Sequence, residues 1–425
     1  MIKKLFRSEF LQNVSTLMSG TAIAQALPIL ISPVISRLYS PDDFGALALY
    51  MSIAAIISVI ATGRYELAVM LPDKEKGAIN ILALSFGITL LVSMLTLLLV
   101  FLLKDMAVSF FEEPGIGIWL YFLPVVVFFT GLYQSLNYWS TRHKTFKRNA
   151  VTRISQSTFS SATQLGMGVL NAGSAGLILG YIAGILIRPF ILGWDIVKQF
   201  KTLKQELSVE EMMFNARKYR NFIRINTPHA FLGSIQDNGI IYVIMFYFSK
   251  VVLGSYSFAF RIIKAPAELI GSSVYQVFYQ KATEVHQSGK DLRPLVLRIY
   301  RNLFLTGLPF FTVLFLFAPQ LFDFIFGSEW RVAGEIARIV TPWVFLNFLA
   351  SPVSCMAIIM NKQREAMLIT LVDIALRITS IVIGGIYGDF RLAFILMSVS
   401  CSSLLIFALF WYYRIGSPGT GATYE

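Results

Sequence analysis

Apolar runs long enough to cross a bilayer recur along the whole of this chain, and no other feature limits its fold so severely. A hydrocarbon layer of ~30 Å takes ~20 residues of α-helix. Such runs fall at about 14–38, 44–63, 79–103, 117–140, 150–170, 174–197, 222–248, 252–279, 295–319, 336–360, 365–387 and 390–413, twelve in all. Helix is the only regular structure that suits them, because an open strand edge in lipid leaves its backbone groups unpaired. The run at 150–170 is the least apolar, and its TRISQSTFSSATQ is expected to face other helices rather than lipid. Hydrophobic residues make up 56% of the 425 positions and charged residues 14%, against about a quarter charged in soluble domains. No polar stretch is long enough to build a soluble domain beside the spans.

The formal net charge is +12, which by itself would suit nucleic acid or basic loops facing anionic lipid. The distribution decides. With the N-terminus on the cytoplasmic side, 26 of the 36 lysines and arginines fall on inward loops and tails and 6 on outward loops. That asymmetry is the positive-inside pattern, so nucleic acid is excluded as a partner and both termini are expected in the cytoplasm. Lys3, Lys4 and Arg7 ahead of an apolar run with TAIAQA imitate a signal peptide, but the run continues to Leu38, which reads as a retained first helix.

An internal repeat divides the spans. LYSPDDFGALALY follows the first span and YFSKVVLGSYSFA the seventh, sharing an aromatic, a serine and a glycine: Tyr39, Ser40 and Gly45 against Phe248, Ser249 and Gly254. The expected fold is therefore an all-α membrane protein of about twelve helices in two six-helix lobes, 1–209 and 210–425, joined by a cytoplasmic helical linker at about 199–219. Parallel repeats that rock around a midplane site are a common transporter plan. Enzymatic signatures are missing: there is no P-loop, HExxH, GxSxG or dinucleotide fingerprint, so the chain reads as a transporter rather than an enzyme, needing no cofactor. Cys355 and Cys401 form no CxxC pair, and His143, His229 and His286 are too scattered for a metal site.

Ionisable residues at membrane depth are costly and each is a functional candidate. They are Arg188, Asp237, Arg261, Lys264, Glu268, Asp373 and Arg377, with Arg64 and Glu66 nearer the cytoplasmic surface. Arg261, Lys264 and Glu268 share one helical face. Two readings stand for them: a self-neutralised cluster in which Lys264 pairs with Glu268 and Asp237 with Arg261, or a cationic patch for an anionic head group. Asp373 and Arg377 stand at i, i+4 in the favourable acid-first order, as an ion pair or as ligand contacts. Arg188 precedes Pro189 and has no acid within one turn, so it should seek a phosphate or a distant partner. Pro28, Pro33, Pro124, Pro189, Pro228, Pro266, Pro309, Pro342 and Pro352 mark bends that serve either motion or packing. Aromatics such as Tyr133, Tyr138 and Trp139 suit the membrane interface or a sugar path, and His229 is a structural histidine or a proton switch.

The chain resembles the polysaccharide transporter family (Wzx-type oligosaccharide flippases) of the MOP exporter superfamily. The resemblance rests on LYSPDDFG, GRYELAVMLP, IGSSVYQVFYQKATE, FAPQLFDFIFGSEWRVAG and TPWVFLNFLASPVS, in the family's order and over nearly the whole chain. It implies alternating access and movement of an undecaprenyl-pyrophosphate-linked oligosaccharide, such as an O-antigen repeat unit, from the cytoplasmic to the periplasmic leaflet. It also implies contacts with membrane lipid, with a polysaccharide polymerase and with chain-length machinery. Arg64 and Glu66 lie in the motif GRYE; Arg188, Arg261, Lys264 and Arg377 extend the expected cationic cavity on the strength of their depth, with Glu66, Asp237, Glu268 and Asp373 as coupling or charge-pairing carboxylates. Arginine suits a pyrophosphate through its permanent charge and forked donors. A drug or organic-cation antiporter of the same superfamily should have a carboxylate-dominated cavity, whereas the deep residues number four cations against three anions. A membrane polymerase or ligase should carry a large outward loop, and a peptidoglycan-precursor flippase two further helices.

Overall fold

The computed structural model describes residues 2–111 and 113–417, with side chains given for 19–111, 113–194 and 205–417. Residue 1 and residues 418–425, the ends of the two tails expected in the cytoplasm, lie outside the described residues. Among the described residues there are twelve long helices: α1 (Ile2–Leu38), α2 (Pro41–Ser58), α3 (Glu75–Phe111), α4 (Leu123–Arg142), α5 (Phe146–Val169), α6 (Ser174–Gln205), α7 (Thr227–Tyr247), α8 (Lys250–Gln287), α9 (Arg293–Phe326), α10 (Arg331–Ala350), α11 (Gln363–Ile386) and α12 (Phe390–Ile415). Each coincides with one expected span. Eight stretches are long and apolar enough to cross a membrane by length and composition, and the chain is a multi-pass membrane protein. The helices that fall short are α2, α5, α7 and α8.

Helix α5 shows how such a segment survives. It packs between α1 and α6, and small residues let the backbones approach. A Cβ at Gly20 of α1 would sit 2.4 Å from the Ala150 Cβ. On α6, Gly176, Gly180 and Gly184 are spaced by four, and a Cβ at Gly180 would lie 2.4 Å from Gln164 Cγ and 2.8 Å from the Ser160 carbonyl oxygen. The polar groups of α5 also repair α1. Pro28 removes the amide that would bond the Ala24 carbonyl, and Ser157 donates its hydroxyl there at 2.7 Å. Pro33 does the same to Ile29, whose carbonyl accepts from Ser32 at 2.6 Å. Other prolines start elements instead of bending them: Pro124 lies in the first turn of α4, Pro228 is the second residue of α7, and Pro352 lies in a short 3-10 turn.

The chain separates into two compact units, Met1–Tyr242 and Val243–Glu425. This division by compactness cuts α7, later than the boundary counted from six-helix repeats. The linker explains the difference within the first unit. Ser208 caps a helix over Val209–Lys218, which packs on α3. Tyr65 donates to the Ala216 carbonyl at 2.9 Å, and Asn80 donates to that of Glu206 at 2.8 Å.

Each unit repeats the other's internal plan. In the first, α3 packs with α4, α2 with α4, α4 with α6, and α5 with α6; in the second, the same pairs recur six helices later, α9 with α10, α8 with α10, α10 with α12, and α11 with α12. The sequence repeat has a local cause. Ser40 caps α2 in a capping box with Asp43, with Pro41 in the first turn, and Ser249 caps α8, accepting from the Val252 amide at 3.4 Å. An aromatic just before each cap, Tyr39 next to Ser40 but Tyr247 rather than its repeat partner Phe248 before Ser249, presses on a glycine of the fifth or eleventh helix. A Cβ at Gly168 would meet Tyr39 Cε2 at 2.9 Å, and one at Gly385 would meet Tyr247 Cγ at 2.3 Å.

The later motifs are packing features of the second unit. In FAPQLFDFIFGSEWRVAG, buried Trp330 lies 4.1 Å from the ring of Phe258, while Gly334 passes so close to α9 that a Cβ would sit 2.6 Å from Pro319 Cα. Arg293 bonds Asp291 at 2.8 Å in the α8–α9 connection, and that hydrogen bond holds the Asp291 carboxyl below the usual carboxylate range.

Candidate functional site

The motif GRYE forms a sharp reversal after α2. Gly63 and Arg64 both adopt left-handed backbone, at φ 59° and 60°, a conformation that costs a non-glycine residue roughly 1–2 kcal/mol. The turn places Arg64 Nη1 3.3 Å from the buried Glu66 carboxylate, which also accepts a hydrogen bond from Thr62. Arg142 fixes the rest of the motif by donating to the carbonyls of Val69 at 3.1 Å and Pro72 at 2.6 Å.

Arg64 opens onto a cavity of about 540 Å³ within the first unit. Its wall combines Arg64 with Gln134 of α4, Gln156 of α5, Arg188 of α6, and His229 and Asp237 of α7. The Arg188 guanidinium lies 3.6 Å from the centre of the Tyr133 ring, a cation–π seat that fixes its position. The Nε atoms of Arg64 and Arg188 and the Oε1 of Gln134 are buried with no hydrogen-bond partner among the described residues. Unsatisfied buried polar atoms are rare in native proteins and call for an explanation. Arg153, which donates to Thr21 at 2.8 Å, lies within electrostatic range of Arg188 and adds positive potential. The chemistry on offer is anion binding by two forked donors, one from the turn after α2 and one from α6, with amide groups and one carboxylate beside them.

The other expected site residues belong to the second unit. Lys264 pairs with Glu268 at 3.1 Å, both about half exposed, and Arg261, one turn earlier, is exposed. Arg377 pairs with Asp373 and lies 4.7 Å from the centre of the Trp343 ring. Trp343 is the end of an aromatic stack that runs through Phe260 and Tyr256 to Phe394, with ring centres 5.5, 5.5 and 5.3 Å apart. Three of the four expected carboxylates, Glu66, Glu268 and Asp373, thus each hold a cation on their own segment. The first unit brings together Arg64, Arg188 and Asp237, and it adds Gln134, Gln156 and Thr130, which the charge-based reading passed over. Gln134 in an apolar span and Gln156 in the polar run at 150–170 were the available signal.

A family profile described as polysaccharide biosynthesis protein matches residues 34–335. The chain belongs to that family. The matched segment contains the whole cavity from Ala55 to Asp237, and Asp373 and Arg377 fall outside it. No curated protein sequence matches the chain. Among solved structures, the lipid II flippase MurJ in an inward closed conformation is similar with a TM-score of 0.71 at 14% identity, over 94% of this chain and 87% of that one. An inward-facing multidrug resistance MATE family transporter of the MOP superfamily follows at 0.68 and 16%, over 95% and 97%. A MOP superfamily transporter from Pyrococcus furiosus, described as having a binding pocket of reverse polarity, gives 0.59 and 16%, over 95% of each chain. These likenesses show that this member of the polysaccharide biosynthesis protein family has the MOP transporter fold.

Proposed function

We propose that the protein is a flippase that moves a polyprenyl-pyrophosphate-linked oligosaccharide from the cytoplasmic to the periplasmic leaflet of the inner membrane by alternating access. The observation that carries this reading is the pair of arginines, Arg64 and Arg188, that line one cavity with buried donor atoms left unpaired. A pyrophosphate is the membrane-associated anion best matched to two forked donors. Family membership in polysaccharide biosynthesis and the likeness to a lipid II flippase support the same class of cargo. Glu66 holds Arg64 in place through their ion pair, and Asp237 and His229 on α7 are the groups suited to coupling by proton exchange. Arg261, Lys264 and Arg377 are further cationic positions for the head group on its way across. An organic-cation antiporter fits less well, since the first-unit cavity holds two arginines against one lining carboxylate.

The test is complementation of glycan export in a deletion strain, with membrane protein quantified in parallel. Arg188→Gln is expected to accumulate normally and lose export, because one charge-assisted contact to phosphate contributes about 1.5–3 kcal/mol, or roughly 10–100-fold. Arg188→Lys should keep part of the activity. Gly233 lines the cavity, and a Cβ there would meet no atom within 4 Å, so Gly233→Leu should obstruct transport without lowering protein level. Full export by Arg64→Gln and Arg188→Gln at normal levels would overturn the anion-cavity reading.

A further inference from the structure

The second unit carries a groove of about 660 Å³ on its flank, walled by α9, α10 and α12. Leu316, Ile395 and Val399 form an apolar wall and are 52, 46 and 62% exposed. At membrane depth such surface faces lipid chains. One charged residue lines the groove, Arg338 of α10. The nearest acid on its helix, Glu335, is held by Arg391 at 2.9 Å, and Arg338 has no ion-pair partner among the described residues. A cation towards one end and an apolar wall beside it are the two halves of an amphiphile's complement.

Depth specifies the amphiphile. Arg338 lies seven residues inside α10 from its start at Arg331, about 10 Å at 1.5 Å per residue. Helical side chains lean towards the helix N-terminus, and a long arginine snorkels further that way, so the guanidinium rises towards the surface at which α10 begins. The Arg391–Glu335 bond ties the start of α12 to the same level. From there Ile395 and Val399 lead inward along α12. We infer that this groove holds an anionic phospholipid of the surrounding bilayer, with its phosphate on Arg338 and an acyl chain along Leu316, Ile395 and Val399. The bilayer is the medium that covers this face, and the lone cation selects its negatively charged lipids. The site is independent of the cargo proposed for the first-unit cavity.

Native mass spectrometry of the purified full-length protein, titrated with phosphatidylglycerol and with phosphatidylcholine of equal chain length, tests this. Wild type should retain phosphatidylglycerol several-fold better, since both lipids offer a phosphate but the choline cation offsets its attraction to Arg338. Arg338→Gln should abolish the preference, and Val399→Trp, which fills the groove and leaves Arg338 in place, should reduce retention of both lipids. Arg301→Gln, on α9 outside the groove, should change nothing. Equal retention of the two lipids by wild type, or a preference that survives both groove variants, would overturn the assignment. So would displacement of phosphatidylglycerol by free glycerol phosphate or by equimolar polyprenyl phosphate, or a dimer that Val399→Trp dissociates.

Discussion

Replacing Gly180 by alanine puts a methyl group where α5 and α6 leave no room for one. The added carbon would stand 2.4 Å from Gln164 Cγ and 2.8 Å from the Ser160 carbonyl oxygen, against an ordinary carbon contact of about 3.5–4.0 Å. More than 1 Å must therefore be found at an interface where neither neighbour is free to give. The Ser160 oxygen is backbone. Gln164 donates to the Leu177 carbonyl at 3.3 Å, and its own carbonyl accepts from Tyr39 at 2.6 Å. Overpacking of this kind costs about 1–3 kcal/mol, and the gain in helix propensity from glycine to alanine returns roughly 0.5–1 kcal/mol. The net loss is roughly 0.5–2 kcal/mol, and Gly180→Val should lose more. Gly166 on α5 is the control, since a Cβ there meets nothing within 4 Å. Thermal unfolding of the purified protein in mild detergent, followed by size-exclusion chromatography of the surviving monomer, should rank Gly166→Ala with or above wild type. Gly180→Ala should fall below it and Gly180→Val lower still. A Gly180→Val protein as stable as wild type would refute the idea that close backbone approach holds α5 in place.

Two further outcomes follow from buried polar groups. Ser157→Ala removes the donor to the Ala24 carbonyl that Pro28 leaves open, which should lower stability in the same assay by about 1–3 kcal/mol; no loss would mean that the carbonyl finds another donor. For Asp373 and Arg377, either single alanine strands a charge, which costs roughly 3–5 kcal/mol at full burial and about half that here, since the side chains are 15 and 32% exposed. Membrane protein level should drop in both singles and partly recover in the double variant, whereas normal levels with lost export in both singles would make the pair a ligand site.

The sequence made the helices legible because their main determinant, apolar length, is local. It also exposed pairs that sit on one helix, such as Lys264–Glu268 and Asp373–Arg377, since helical periodicity places i and i+4 side by side. The polar character of 150–170 gave away its burial among helices, though not that Ser157 serves a proline carbonyl on α1. What the sequence withheld was which helix meets which. Periodicity assigns a residue to a face but names no neighbour, so the meeting of Arg64, Arg188, Gln134 and Asp237 around one cavity had no one-dimensional trace. The left-handed backbone at Arg64 was hidden for a related reason: only the neighbouring Gly63 hinted at a reversal, and arginine is a poor advertisement for that conformation.

The paired caps and glycine seats point to a history of duplication. A six-helix ancestor copied in tandem would pass on Ser40 and Ser249, the aromatics beside them, and the glycines at 168 and 385, because each half must close in the same way. The charges did not follow that inheritance. One copy acquired a cavity lined by two arginines, and the other put its arginine against an aromatic stack. The halves have kept a common architecture while their charges have diverged, so symmetry in the backbone coexists with asymmetry in what each half presents.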